Sequence, residues 1–551
     1  MPRRYSNHGG FDSTPAAAPR ALVAVQPGLA AFTPRDTPFG YLFPNALAGG
    51  LIPADDPAKV VKALTDLADA MVDTKLELAN EQNSAIPAGY TYWGQFVDHD
   101  ITNQQLDAAV DLRTDITGDT FAPEAPDKVR SGLKNRLDPF LDLDSVYADG
   151  PDGDDSFPDE DKLFDTGKLN FRLGTNATGN SILGEIPDPE LDEVQGQPQR
   201  DIPRKNKLAV IGDTRNDENT IVSQLHTAFL KFHNAVVAQL GKSTKLSGPA
   251  LFQEAQQLVR WHYQWLTVND WLRTITLDGV VDDVLLGGQK FYDPPADAIF
   301  MPLEFSVAAF RFGHTMVRAE YDFNRNFTFN GGLVGQATFD FLFAFTGNGG
   351  FFGEATLPFN WIAEWERFFG RNPLDDDFNA VVNRFTRKID TKLAFPLSTM
   401  ANEQANAVMQ HLARRNLRRG FLFSIPTGQS IAKEMKVAVL SERELKKNAS
   451  AGVVEALERE NNLLLNHTPL WFYVLKEAEV RANGNTLGEV GSRIVAETII
   501  GLLRKDPDSY LNHNWDPSKS PLRVGAQQKP IVRIIDMLRF ARVAPAESAA
   551  A

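Results

Sequence analysis

Residues 90–102 read YTYWGQFVDHDIT, which gathers aromatic residues, a glutamine and an Asp-His-Asp triplet into one apolar setting. The chain has only nine histidines, so the placement of His99 between two carboxylates asks for a reason. Read as a helix, which turns by about 100° per residue, the segment puts Gln95 and His99 on one face while Asp98 and Asp100 point to either side. One face can then present His and Gln to a cavity while each acid reaches a different partner. An exposed helix with a capping acid would give the same pattern, so other segments must decide.

The whole chain narrows the choice. Its 551 residues have the composition of a soluble globular protein and suffice for a sizeable core. A net charge of −15 argues against general binding to nucleic acid or anionic membranes, which requires a basic face. No run of 18 apolar residues occurs, and the opening MPRRYSNHGGFDST carries positive charge with no apolar segment behind it. The expectation is no membrane span and no secretory signal peptide. With no cysteine, disulfides, thiolate nucleophiles and Cys-held metals are excluded. A metal must be held by His, carboxylate or carbonyl groups.

Residues 1–54 are rich in Pro, Gly and Ala and read as an extended arm, followed by one large domain over 55–545 and an alanine-rich tail at 546–551. The segment from Asp56 opens a helix, with Pro at its first position. Similar apolar spacing predicts helices near 219–240, 249–275, 304–317, 401–416, 468–481, 491–504 and 529–542. Alternating strand-like runs are scarce, and 107–215 reads as long acidic loops. The fold class is mainly α, with a central helical core, long loops and little β.

Familiar motifs are missing: GNGGFFG at 347–353 lacks the third glycine of a dinucleotide fingerprint, and there is no P-loop, G-x-S-x-G or H-E-x-x-H. His314, in AAFRFGHTMVRAEYDF, has apolar flanks and a preceding glycine that lets a flat ligand or another backbone approach. Its imidazole suits an axial iron ligand, although a buried His bonded to backbone is the commoner case. His226 and His233 are seven apart and read as packing or hydrogen-bonding residues. Arg215 and Glu218, just upstream, look by default like a surface ion pair. In LDPFLDLDSVYADG, Asp138, Asp142 and Asp144 with the Phe140 carbonyl repeat at every second residue, as calcium ligands do. The spacing fits a solvated acidic loop equally well.

Taken in order, WGQFVDHDIT, FLDLDSVY, GDTRNDEN with HTAFLKFHN, FRFGHT and NLRRGFLFSIPTG resemble the haem peroxidases of the peroxidase–cyclooxygenase (animal haem peroxidase) superfamily, in a bacterial-type version without disulfides. The resemblance runs from Gly94 to the C-terminal helices, and five motifs in order make it specific. It implies that His99 is the distal histidine, with Gln95 beside it and Arg215 as the distal arginine. Asp98 and Glu218 match carboxylates that can be ester-linked to haem b, and His314 matches the proximal iron ligand. Asn416 matches the partner of that imidazole, and Arg311 and Arg419 match arginines near the haem propionates. Asp100, Asp138, Phe140, Asp142 and Asp144 fall on the family's calcium site.

The implied activity is reduction of hydrogen peroxide with oxidation of halide, thiocyanate or a small organic donor. A neutral Asn416 behind His314 favours a high reduction potential, compatible with halide oxidation. Asn219 stands where myeloperoxidase has the Met of a sulfonium link, so at most two ester bonds are expected. Four carboxylates at the calcium site predict strong repulsion in its absence. The alternatives are a fatty-acid dioxygenase, which would need a Tyr where Arg311 stands, and a non-catalytic calcium-stabilised binding protein. The basic run RRNLRRGF at 414–421 is explained by haem propionates, with its outermost arginines exposed. No disulfide-linked oligomer is possible, and absence of cysteine with use of calcium leans towards an extracellular setting.

Overall fold

The computed structural model describes residues 36–75, 82–153, 158–177, 199–328, 335–347, 355–369, 384–400 and 406–546. The tail from 547, the greater part of the GNGGFFG segment and residues 1–35 of the expected arm lie outside these. Helices dominate, and the strands are two to five residues long.

The helix Gly89–Ile101 carries the segment that opened the sequence reading, and ring packing fixes it. Phe96 stacks on Phe229 with centroids 4.7 Å apart, and Trp93 packs on Phe229 and Tyr263. The Trp93 indole donates to Thr267 Oγ1 at 3.2 Å. Gly94 is required by a close approach: a Cβ there would lie 2.9 Å from the Trp271 ring. Thr220–Ser243, the longest helix at 24 residues, supplies Phe229 and packs against both this helix and Gly248–Leu266. Asn219 caps it, its Oδ1 accepting from Val222 N at 3.0 Å.

Most expected helices are present, with shifted ends. Asp56 caps Pro57–Ala70, and Leu470–Ala482 and Glu489–Lys505 form a packed pair. The span expected as one helix from 304 is instead three short pieces: a π turn over Glu304–Ala308, a 3-10 turn over Ala309–Phe312 and an α turn over Gly313–Met316. The helix expected at 401–416 is Leu412–Leu422, because Asn406 accepts from Val408 N in a turn and His411 Nδ1 caps the new start at Arg414 N. Residues 401–405 are not described. The last expected helix contracts to Ile534–Phe540, where Asp270 accepts from Ile534 N at 2.7 Å.

The described part of the N-terminal arm joins a sheet of the domain. Thr37–Gly40 pairs antiparallel with Leu133–Asn135 and parallel with Met301–Pro302, in the interior of a four-stranded sheet. Buried Glu304 accepts from Leu42 N at 2.8 Å and Phe43 N at 3.0 Å, fastening this arm to the segment that leads to His314. Among the described residues no helix is long and apolar enough to cross a membrane.

Candidate active site

His99 lies in the last turn of Gly89–Ile101 and is 1% exposed. Its Nδ1 is 2.9 Å from Asn216 Oδ1, and its Nε2 lies 3.9 Å from Glu218 Oε2. Burial, then the Arg215 charge, holds its pKa below the ordinary value, which keeps the imidazole neutral. Gln95 shares this face as predicted. It donates to Glu218 Oε2 at 3.1 Å and accepts from Asn219 Nδ2 at 3.1 Å. Asp98, on the flank, accepts from the Thr102 hydroxyl at 2.8 Å.

Arg215 and Glu218 are not a surface pair; each reaches the distal helix separately. The Arg215 guanidinium grips Asp213 through Nε and Nη2 at 2.7–3.1 Å. It also donates to the carbonyls of His99 and Thr102, both at 2.7 Å. A cation at the C-terminal carbonyls of a helix satisfies groups the helix itself cannot, and it opposes the helix dipole. Four of the five guanidinium N–H groups are thus engaged, so Arg215 offers the pocket mainly its charge.

Of the carboxylates expected at calcium, Asp100 and Asp144 are fully buried, and the Asp142 charge adds to burial in raising the Asp100 pKa. Asp100 accepts from Leu143 N at 3.1 Å, Ser145 N at 3.3 Å and Ser145 Oγ at 3.1 Å. Among the described residues no group of three or more His, Asp or Glu side chains is placed to hold a metal ion. Leu143, between Asp142 and Asp144, adopts a left-handed conformation, φ +62°. The hydrogen bonds to Asp100 brace the helix that carries His99. Ser145 O accepts from Asp213 N at 3.0 Å, linking the loop to the partner of Arg215.

On the other side, the Gly313–Met316 turn packs against the Gly89–Ile101 helix and carries His314. Asn416 Nδ2 is 2.8 Å from His314 Nδ1, while Asn416 Oδ1 is buried without a hydrogen-bond partner among the described residues. Arg311 lies close enough to Arg415 to feel its charge, and Arg415 and Arg419 are almost fully buried. Burial, with Arg415 adding to it, pushes the Arg311 guanidinium down to about 10, and Asp98 partly opposes this. Arg311 Nε has no acceptor among the described residues.

These residues fit a haem. The buried Arg311 guanidinium, whose Nε has no acceptor among the described residues, calls for an anion such as a propionate, and a Cβ at Gly313 or Gly420 would meet nothing within 4 Å. A plane can therefore approach the backbone beside His314 and beside Arg419. Ligation through Nε2 requires the hydrogen on Nδ1, and a half-turn of the Asn416 amide brings its unpartnered oxygen there to accept it.

The basic run is less exposed than expected. Arg414 pairs with Asp69 at 2.6 Å, and buried Arg418 donates to Ile116 O, Gly118 O and Thr65 Oγ1. The sequence reading missed Arg415, Asp213 and Asn216. Asp213 and Asn216 flank Arg215 in GDTRNDEN, within two residues, and that proximity was the available signal.

A helical domain that brings a buried His beside an arginine, and packs its helix against the turn carrying a second His backed by an amide, has the peroxidase–cyclooxygenase type of fold. Peroxidase A from Dictyostelium discoideum shares it with a TM-score of 0.58 at 16% identity, covering 93% of this chain and 94% of that one. A fatty acid alpha-dioxygenase from Arabidopsis thaliana does so at 0.54 and 13% identity, over 89% and 74%. Residues 71–420 match the animal haem peroxidase family model, and the chain belongs to that family. The peroxidasin homolog pxn-2 of Caenorhabditis elegans is 28% identical over 197 residues, 35% of this chain and 14% of that protein. Thyroid peroxidase of Sus scrofa is 28% identical over 184 residues, 33% of this chain and 19% of that protein. The chain thus spans less than a fifth of the length of these two relatives.

Proposed function

We propose that this protein is a haem-dependent peroxidase that reduces hydrogen peroxide and oxidises halide, thiocyanate or a small organic donor. The observation that carries the proposal is His99, buried and neutral, with its Nδ1 tied to Asn216 and its Nε2 directed to the Glu218 side of the pocket. Bound haem would supply the redox iron that takes up peroxide and exchanges electrons with it. His99 Nε2 accepts the proton of one peroxide oxygen and returns it to the departing one, so that water leaves. Arg215 contributes fixed positive charge as negative charge develops, tempered by its pairing with Asp213.

His314 is the iron ligand of this proposal, and Asn416 orients it. A neutral amide leaves the imidazole less anionic than a carboxylate partner would, which raises the potential. Arg311, Arg415 and Arg419 would hold the propionates. Asp98 and Glu218 are the carboxylates available for ester links, and Asn219, engaged with Gln95 and the helix start, offers no third link. Arg311 stands where the dioxygenase reading needs a Tyr, which favours peroxidase over that alternative.

The test is an absorption spectrum of the purified, haem-supplied protein before and after stoichiometric peroxide, with bromide, iodide, thiocyanate or a phenol then added in turn. A Soret band that shifts with peroxide and recovers with one donor is expected. A protein that takes up no haem refutes the proposal.

A further inference from the structure

Asn216 stands between two histidines. His99 Nδ1 is 2.9 Å from its Oδ1, and its Nδ2 is 3.0 Å from His226 Nδ1. All three residues are buried, with exposures of 1, 0 and 0% for His99, Asn216 and His226.

An amide has one end that only accepts and another that only donates, so its orientation dictates where the ring hydrogens sit. With oxygen towards His99, that ring carries its hydrogen on Nδ1 and keeps a lone pair on Nε2. With nitrogen towards His226, that ring accepts at Nδ1 and carries its hydrogen on Nε2. Reversing the amide would move both hydrogens and leave His99 with an N–H where a base is needed.

We infer that Asn216 and His226 together hold His99 in the tautomer whose Nε2 can accept a proton, acting as positioning residues for the distal base. The inference rests on the peroxidase reading above; it gives Asn216 a role and makes the hydrogen-bonding role of His226 specific.

The surroundings support it. Burial drives His226 down to about 3, with Asp213 alone pulling the other way, so this ring stays neutral and acts through its tautomer. The charged groups facing His99 are Arg215, Glu218, Asp213 and Asp98, and none of them contacts its Nδ1. Asn216 itself cannot drift, because both neighbours are clamped: Arg215 to Asp213 and the distal-helix carbonyls, Asp217 to Arg204.

Cyanide is the probe, since hydrogen cyanide must hand its proton to a base on binding ferric haem. Three variants of the haem-loaded protein separate the roles. Asn216→Leu removes both hydrogen bonds at similar volume. Asn216→Asp keeps an acceptor for His99 but no donor for His226, and His226→Phe removes the group that biases the amide.

Expected cyanide association rates are at least tenfold slower for Asn216→Leu, within about threefold of wild type for Asn216→Asp, and intermediate for His226→Phe, all with an unchanged Soret band. Proton NMR of the cyanide complex should show a slowly exchanging His99 Nδ1 proton in wild type and Asn216→Asp, lost in Asn216→Leu. Equal rates for the Leu and Asp variants, or survival of that proton in the Leu variant, overturn the relay. If the Leu variant fails to fold, a wild-type rate in His226→Phe overturns it equally. Failure of the wild type to load haem overturns the peroxidase reading and the relay with it, whereas normal loading with unaltered variants sinks the relay alone.

Discussion

Replacing Arg204 by Leu tests how the distal loop is held, without reference to any cofactor. Arg204 is 1% exposed and clamps two carboxylates at once: Asp201 at 2.8 and 3.1 Å, Asp217 at 2.7 and 2.8 Å. Asp201 keeps other donors, Ile202 N and Leu357 N, while Asp217 keeps Gly347 N. Removing the shared cation leaves buried carboxylates uncompensated, which costs about 3–5 kcal/mol for a broken buried pair. The loss stays near the lower end if one carboxyl takes up a proton.

Asp217 is the group that does so, because burial already holds its pKa above the ordinary value even with Arg204 pulling it down. The sign follows: a carboxyl whose folded pKa exceeds its unfolded one is a burden above that pKa, and the burden lifts as pH falls. The deficit of Arg204→Leu should therefore be larger at pH 8 than at pH 5. Chemical unfolding of wild type, Arg204→Leu, Asp217→Asn and the double variant, followed by tryptophan fluorescence, measures it. The double variant should lose less than the sum of the singles by at least about 1.5 kcal/mol. A single-variant cost below about 1 kcal/mol, or an equal deficit at both pH values, would refute the reasoning.

Further outcomes are expected. Gly313→Val places methyl groups in open space beside His314; thermal stability of the haem-free protein should be unchanged while haem affinity falls at least tenfold, and titration with haem that shows equal affinity would count against a haem plane there. The double variant Asp98→Val, Glu218→Val should release haem into acidified organic solvent where wild type retains it; equal extractability would remove the ester assignment. His233 accepts from Tyr147 OH and donates to Leu169 O, both at 2.9 Å, and burial brings its pKa down to about 4. Its neutral form stabilises the fold fully above pH 6.5, and that contribution falls as pH drops towards 4, by about 1.4 kcal/mol per unit. His233→Gln should flatten the dependence of stability on pH between 6 and 4.5 by that slope, as denaturation curves at several pH values will show.

The distal helix was legible because its chemistry sits at regular spacing: Gln95 and His99 share a face whatever the helix packs against. The region around His314 was legible in position but not in form. Its apolar spacing fits one helix, whereas the segment breaks into π, 3-10 and α turns, and spacing alone does not register the change of pitch between them. In the acidic loop the left-handed backbone at Leu143 was not legible, because a non-glycine residue gives little warning of such a conformation. The strand at 37–40 was not legible because its partners are distant in sequence, Asn135 opposite Thr37 and Met301 opposite Phe39. Arg414 and Arg418 looked alike, yet one reaches Asp69 and the other the Ile116 and Gly118 carbonyls.

Both histidines of the site are backed by an asparagine, and the two amides are set by different means. On the distal side the oxygen of Asn216 already faces His99 and the nitrogen is engaged by His226, so the orientation belongs to the protein. On the proximal side the nitrogen of Asn416 faces His314 and the oxygen is buried without a partner. That orientation suits a ring with its hydrogen on Nε2 and opposes one that ligates through Nε2. If His314 held iron through Nε2, the Asn416 amide would turn so that its oxygen accepts from Nδ1, with its nitrogen moving to the position the oxygen now occupies. In the proposed function the distal ring is held before any ligand arrives, whereas the proximal ring would be fixed by binding iron. Such a division would suit peroxide reduction: proton transfer needs one tautomer at every turnover, while an iron ligand is set once.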